Sequence, residues 1–191
     1  MKYIFSFFAF ILTFLILGCV SFSNPLVSYS EAKYDRELLG LWAEVDSEQE
    51  SDDYVLVLGN SEGKKYKITS FSRPKYSFEN NEMENEKTLV YSGEFDNEKY
   101  LFFYFYDDEK YFFANYKIID DCLIFYTLNA DVLENAIQNK KLSGSVMSGK
   151  IVKESFVSAS QNELQDFFRK RINDLYDKNS GVKYKRVKEF K

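Results

Sequence analysis

Short apolar runs separated by polar turns dominate the chain between residues 39 and 128. Residues 54–58 are almost continuously apolar, residues 65–71 alternate between apolar and polar, and residues 88–95 form a further run. Turn-forming sequences such as Asp96-Asn97-Glu98 separate the runs. Tight polar turns between short β-rich runs are typical of antiparallel strands. The pattern therefore predicts an antiparallel meander.

Residues 100–106, with the sequence YLFFYFY, are apolar on both faces of a strand. An exposed strand of this composition, without any charge, would promote aggregation through its edge. We therefore expect a central strand that is covered on both of its faces.

The pattern changes after residue 128. Asn129 is placed to cap a helix over residues 130–140, and Ser160 with Glu163 forms an S-x-x-E capping box that opens a second helix to about residue 177. Residues 150–158 and 182–190 are predicted strands. The fold class expected is mainly β (α+β), with two C-terminal helices.

The first 18 residues differ from the rest of the chain. Lys2 is followed by residues 4–17, which are apolar apart from Ser6 and Thr13. A membrane-spanning helix needs about 20 apolar residues, so this shorter run is typical of a signal peptide. Residues 1–18 are therefore predicted to be removed, although an uncleaved anchor remains an alternative.

Ile16-Leu17-Gly18-Cys19 resembles the lipobox of bacterial lipoproteins. The resemblance implies that Cys19 is diacylated, becomes the new N-terminus and receives a further acyl chain such as palmitate. It implies a lipid anchor in the cell envelope with the domain outside the cytoplasm. Val20 in place of Asp favours the outer membrane if the bacterium has two membranes.

The domain boundaries follow from composition. Residues 19–37 contain several Ser, Asn and Pro residues and few apolar ones, which predicts a tether. Residues 38–191 are predicted to form a single β-rich domain, a length that buries one sizeable core.

Composition argues against several functions. The net charge of −5 does not favour binding of nucleic acid. The chain also has no histidine, which is the commonest general base and metal ligand. Cys122 has no disulfide partner once Cys19 is acylated, so we expect a buried, inert thiol, and we expect no metal and no cofactor. Acidic pairs such as Asp107-Asp108 and Asp120-Asp121 lie in predicted turns, which asparagine and aspartate favour, so we read them as turn formers rather than catalytic carboxylates. The chain is expected not to be an enzyme.

Gly40-Leu41-Trp42, at the start of a predicted first strand, resembles the G-x-W motif of lipocalins. The resemblance implies a lipocalin-like barrel or half-barrel in which Arg186 stacks over Trp42. The helix over residues 130–140 departs from the lipocalin pattern, so closure of the barrel and a cavity inside it stay open.

Three functions follow as hypotheses. The first is a non-catalytic binding or interaction module with an envelope protein partner. The second is a carrier of a small hydrophobic ligand, and the third is an enzyme or an enzyme inhibitor. For a carrier, the candidate ligand-binding residues are the aromatic side chains expected to line a pocket or fill the core: Trp42, Tyr91, Phe102, Tyr104, Phe113 and Phe125.

Overall fold

A computed structural model of the chain describes residues 19–45, 50–72, 87–148, 153–176 and 181–187. The strands in these ranges are β1 (Cys19–Phe22), β2 (Gly40–Val45), β3 (Glu50–Asn60), β4 (Lys65–Ser72), β5 (Thr88–Phe95), β6 (Glu98–Phe105), β7 (Lys110–Ile119), β8 (Cys122–Tyr126), β9 (Gly144–Ser148), β10 (Lys153–Val157) and β11 (Val182–Arg186). Two α-helices, α1 (Ala130–Gln138) and α2 (Gln161–Arg171), flank the β9–β10 pair. The prediction of a mainly β fold with two C-terminal helices is confirmed.

Eight of the strands form one antiparallel series. Their order is β4-β3-β2-β11-β8-β7-β6-β5, and every neighbouring pair is antiparallel. β11, the last strand of the described ranges, lies between β2 and β8 and is antiparallel to both. Within the described residues β4 and β5 share no backbone pairing, and the sheet is open between them.

β1 makes the sheet mixed rather than purely antiparallel. It runs parallel to β10, which pairs antiparallel with β9, and it meets β7 where Phe22 lies opposite Tyr111. The structure differs here from the expected tether, because the side chains of Val20, Phe22 and Leu26 are buried. The alternation Val20-Ser21-Phe22 is a short strand pattern, which the serine content of the segment concealed.

Two hydrophobic cores lie on opposite faces of the central strands. The helix-side core combines side chains from β1, β5–β7, α1 and α2, among them Phe22, Phe102 and Phe168. The tryptophan core is built around Trp42 with side chains from all eight antiparallel strands and from the segment before β2: Leu38, Val55, Val57, Tyr66, Ile68, Val90, Leu101, Ala114, Tyr116, Leu123, Phe125 and Tyr184.

The expectation for the aromatic strand is confirmed. β6 lies between β5 and β7, so both of its edges are paired. Tyr100 and Phe102 are buried in the helix-side core, and Leu101 is buried in the tryptophan core. Strand alternation therefore covers both faces of β6.

Both predicted helix caps are present, with one difference. The Asn129 side chain accepts a hydrogen bond from the Asp131 amide at 3.2 Å, and Ser160 accepts one from the Glu163 amide at 3.3 Å. The Glu163 carboxylate accepts from the amide and hydroxyl of Ser143 at 2.8 and 2.9 Å, which joins α2 to the segment before β9.

The second helix is shorter than predicted. α2 ends at Arg171, and the chain then turns so that Tyr176 forms an isolated β-bridge with Leu128. Leu175 is fully buried in the helix-side core. Packing of residues 175 and 176 against the sheet therefore ends the helix early.

Candidate functional site

The six aromatic residues predicted from the sequence do not converge on one cavity. Trp42 and Phe125 belong to the tryptophan core, and Tyr91, Phe102 and Phe113 belong to the helix-side core. Tyr104 is half-buried, with its ring centroid 4.5 Å from that of Tyr111 and 5.0 Å from that of Tyr106. The backbone of the shared strands separates the two groups, so five of the six residues fill two cores and Tyr104 lies in neither.

Trp42 is fully buried on β2. Its indole N–H donates to the Leu38 carbonyl at 2.9 Å, and the Arg186 guanidinium lies 4.1 Å from its ring centroid. Arg186 also donates from Nη1 to the Leu39 carbonyl at 2.6 Å and from Nη2 to the Glu37 carbonyl at 2.7 Å. The contact between Arg186 and Trp42 that the sequence predicted is confirmed.

Gly40 lies beside this contact. Its φ of +129° is strained for any residue with a side chain, and an added Cβ would lie 2.9 Å from Arg186 Nη1. The backbone conformation at position 40 therefore favours the glycine of the G-x-W motif.

A polar cluster around Asp35 joins the segment before β2 to four strands. Asp35 Oδ2 accepts hydrogen bonds from Lys99 Nζ and from the Tyr116 hydroxyl, each at 2.8 Å. The Asp35 amide donates to the Tyr66 hydroxyl at 2.6 Å, and that hydroxyl lies 2.8 Å from Ser92 Oγ. Tyr66 and Ser92 lie on β4 and β5, so this hydrogen bond spans the opening of the sheet.

The pKa values in the cluster follow from burial and donors. Burial alone would raise the pKa of Asp35, but hydrogen bonds from Lys99, Tyr116 and the Glu37 amide hold it below its ordinary value. Burial and the neighbouring Asp35 carboxylate raise the pKa of Tyr116 far above its ordinary value. A carboxylate held by several donors is a weak base. The cluster therefore has a structural role: it holds the segment before β2 against the sheet.

A crevice of about 450 Å³ lies on the surface where the β3–β4 hairpin faces β5. It combines apolar and basic side chains, because Leu58 is 52% exposed, Tyr106 is 48% exposed, and both Lys65 and Lys67 are exposed. The residues that line it are Leu58, Gly59, Asn60, Lys65, Tyr66, Lys67, Thr88, Leu89, Val90 and Tyr106.

Sequence reasoning missed this crevice. Residues 54–58 are almost continuously apolar, yet the structure buries Val55 and Val57 and exposes Leu58. The signal available was the period of two, which places Leu58 on the face opposite Val57. The proximity of the hairpin to β5 could not be read from the sequence, because it depends on where the sheet opens.

The two cysteines occupy the first positions of two strands. Cys19 begins β1 and lies in register with Glu154 of β10. Cys122 begins β8 and is half-buried, with a free thiol. Its side chain is thus more accessible than the sequence predicted.

Within the described ranges, no cluster of three or more Cys, Asp or Glu side chains is arranged to hold a metal ion. Over the same residues, no helix combines the length and the apolar character needed to cross a bilayer. No protein-family model matches the sequence, and no curated protein or solved structure is significantly similar to it.

Proposed function

We propose that this protein is a lipid-anchored, non-catalytic binding module of the bacterial cell envelope, built on a lipocalin-like barrel whose interior is filled. The observation that carries the binding role is the crevice between the β3–β4 hairpin and β5. It exposes Leu58 and Tyr106 beside Lys65 and Lys67, whereas the faces of the central strands are packed.

The order of the strands supports the barrel. The eight antiparallel strands follow one another as in an up-and-down barrel, with β11 beside β2. The stacking of Arg186 on Trp42 next to Gly40 adds to the resemblance to lipocalins. The Tyr66–Ser92 hydrogen bond brings β4 and β5 together where the backbone pairing is missing.

The anchor is supported by the sequence before Cys19. The segment Ile16-Leu17-Gly18-Cys19 resembles a lipobox, and one acyl chain alone binds membranes only marginally, so the triacylated cysteine implied by the resemblance suits stable attachment.

Membrane fractionation tests the anchor. Cys19→Ala in the full chain should move the protein from the membrane pellet to the soluble fraction after a high-salt wash, and Cys122→Ala is the matched control that should stay in the pellet. Mass spectrometry of the N-terminal peptide should show the acyl chains on Cys19. A Cys19→Ala protein that still pellets after the wash would contradict the anchor.

A second candidate function, the carriage of a small hydrophobic ligand, is favoured by the size of the crevice. About 450 Å³ lies within the range of small-molecule sites, and the exposed Leu58 and Tyr106 offer an apolar wall. Native mass spectrometry of residues 20–191 purified from a bacterial host distinguishes the two functions. A co-purified small molecule that is lost in Leu58→Asp, but kept in the control Val45→Asp, would favour the carrier. If the unsubstituted domain and the Val45→Asp control both show only the mass of the protein alone, a protein partner is favoured.

A further inference from the structure

We infer that the folded domain lies directly on the lipid bilayer, with the end of the β1–β10–β9 sheet that carries Cys19 at the membrane surface. This inference rests on the proposed acylation of Cys19 and adds an orientation to it. The membrane partner is the same bilayer that holds the acyl chains.

No flexible linker separates Cys19 from the folded domain. Val20 and Ser21 are buried and paired with Ser155 and Phe156 of β10, and Phe22 is fully buried. The pairing continues beyond β1, because the Ser23 amide donates to the Val157 carbonyl at 2.9 Å. An acylated Cys19 would therefore be joined to a fixed strand and not to a flexible linker.

The register identifies the surface next to the anchor. Cys19 lies opposite Glu154, and Glu154 lies opposite Met147 of β9. Met147 is the most exposed of the large apolar side chains in the described part of the protein, at 57%. Neighbouring strands are about 4.8 Å apart, which places the Met147 backbone about 10 Å from that of Cys19.

The same register identifies a surface that should face away. Phe22 pairs antiparallel with Tyr111, so the β6–β7 turn lies beyond the other end of β1. Cys19 and Phe22 are three positions apart in β1, and Lys110, the first residue of β7, precedes Tyr111 by one position. With a rise of about 3.3 Å per residue, Lys110 lies about 13 Å farther along this direction than Cys19, and the turn that carries Asp108 lies beyond Lys110.

Depth-dependent fluorescence quenching tests the orientation. The full-length acylated protein carries Cys122→Ser and either Met147→Cys or Asp108→Cys, labelled with one fluorophore and reconstituted in phosphatidylcholine vesicles with a headgroup quencher. Phosphatidylcholine is chosen because it is zwitterionic and does not repel the carboxylate of Glu154, which lies between Cys19 and Met147. Quenching should be about threefold stronger or more at position 147, since the turn that carries position 108 begins about 13 Å farther along the strand direction than Cys19.

A linker variant tests whether the direct attachment of Cys19 to β1 determines the orientation. Ten Gly and Ser residues inserted between Cys19 and Val20 leave the pairs of Val20–Phe22 available and span about 18 Å on average. Quenching at position 147 should then fall to the level at position 108.

Equal quenching at both positions, or quenching at position 147 that the linker leaves unchanged, would overturn the inference while the acylated mass of Cys19 upheld the anchor. An unmodified Cys19 in the mass spectrum of the full chain would overturn the proposed anchor, and the orientation with it.

Discussion

Trp42 combines an apolar and a polar requirement in one side chain. Its ring is fully buried between strands, its N–H donates to the Leu38 carbonyl, and Arg186 covers its face. If a buried indole N–H has no hydrogen-bond partner, the cost of removing it from water offsets part of the free energy gained by burying the ring. The segment before β2 supplies that partner, so Trp42 fixes the segment as well as the core.

Replacement of Trp42 should be costly. Trp42→Ala is expected to lower the free energy of unfolding by about 3–5 kcal/mol, because it leaves a cavity among β2, β3 and β11. Val45→Ala, at an exposed position of the same strand, is the control and should change it by less than about 0.5 kcal/mol. Urea unfolding followed by circular dichroism measures both. A loss below about 1 kcal/mol for Trp42→Ala would contradict the packing described.

The Asp35 carboxylate should make stability depend on pH. Its pKa is lowered in the folded protein, so its contribution is present above the pKa of the unfolded chain and is lost as pH falls through the folded pKa. Asp35→Asn should therefore be about 1–2 kcal/mol less stable than the original at pH 7, a value reduced by the partial exposure of Lys99.

Urea unfolding of Asp35→Asn and of the original protein at pH 7 and at about pH 3 measures this difference in stability. The deficit of Asp35→Asn should be smaller at the lower pH. Asp108→Asn, on an exposed turn, is the control and should show no such change between the two values. A deficit of Asp35→Asn that is equally large at both pH values would show that the carboxylate charge is not responsible.

At the scale of elements, β1 shows how a short strand becomes essential through distant partners. Four residues pair with β10, more than 130 positions later in the chain, and contribute Val20 and Phe22 to the helix-side core. Leu26 and Val27 add to the same core, and the Tyr91 hydroxyl donates to the Val27 carbonyl at 2.8 Å. The segment is thus an integral layer of the domain.

Removal of this segment should prevent folding. A chain beginning at residue 38 loses five buried apolar side chains, the four larger of which contribute about 1.5–3 kcal/mol each, against a total stability of about 5–15 kcal/mol for a domain. It should give no cooperative thermal transition by circular dichroism, whereas a chain beginning at residue 20 should melt cooperatively. A shortened chain that melts within a few degrees of the longer one would show that residues 20–37 act only as a tether.

At the scale of the whole molecule, the two cores share β5, β6 and β7. Tyr100 and Leu101 are neighbours in the chain, yet they belong to different cores. Loss of either core exposes one face of the same strands, including the aromatic β6. The two cores should therefore unfold together.

Two probes report on the two cores separately. Trp42 is the only tryptophan of the sequence and lies in the tryptophan core, whereas far-UV circular dichroism at helical wavelengths follows α1 and α2 on the other side. Their urea transitions should coincide. Midpoints that differ reproducibly between the two probes would show that the cores unfold independently.

The sequence by itself determined the features that depend on neighbouring residues. Alternation and turn residues predicted the strands between residues 39 and 128, Asn129 and Ser160 predicted the starts of both helices, and the uncharged aromatic run predicted a central strand. The G-x-W motif and Arg186 predicted one long-range contact through resemblance. These signals are local because capping, turn geometry and side-chain alternation act over a few residues.

Only the tertiary structure decided which surfaces those elements cover. A period of two assigns Phe102 and Phe103 to opposite faces, but it does not say that helices cover one face and Trp42 the other. The pairing of β1 with β10, the opening between β4 and β5, and the crevice beside Leu58 depend on contacts between distant segments. Such contacts are selected by the burial of the whole chain, because no local pattern encodes which distant strand becomes a partner.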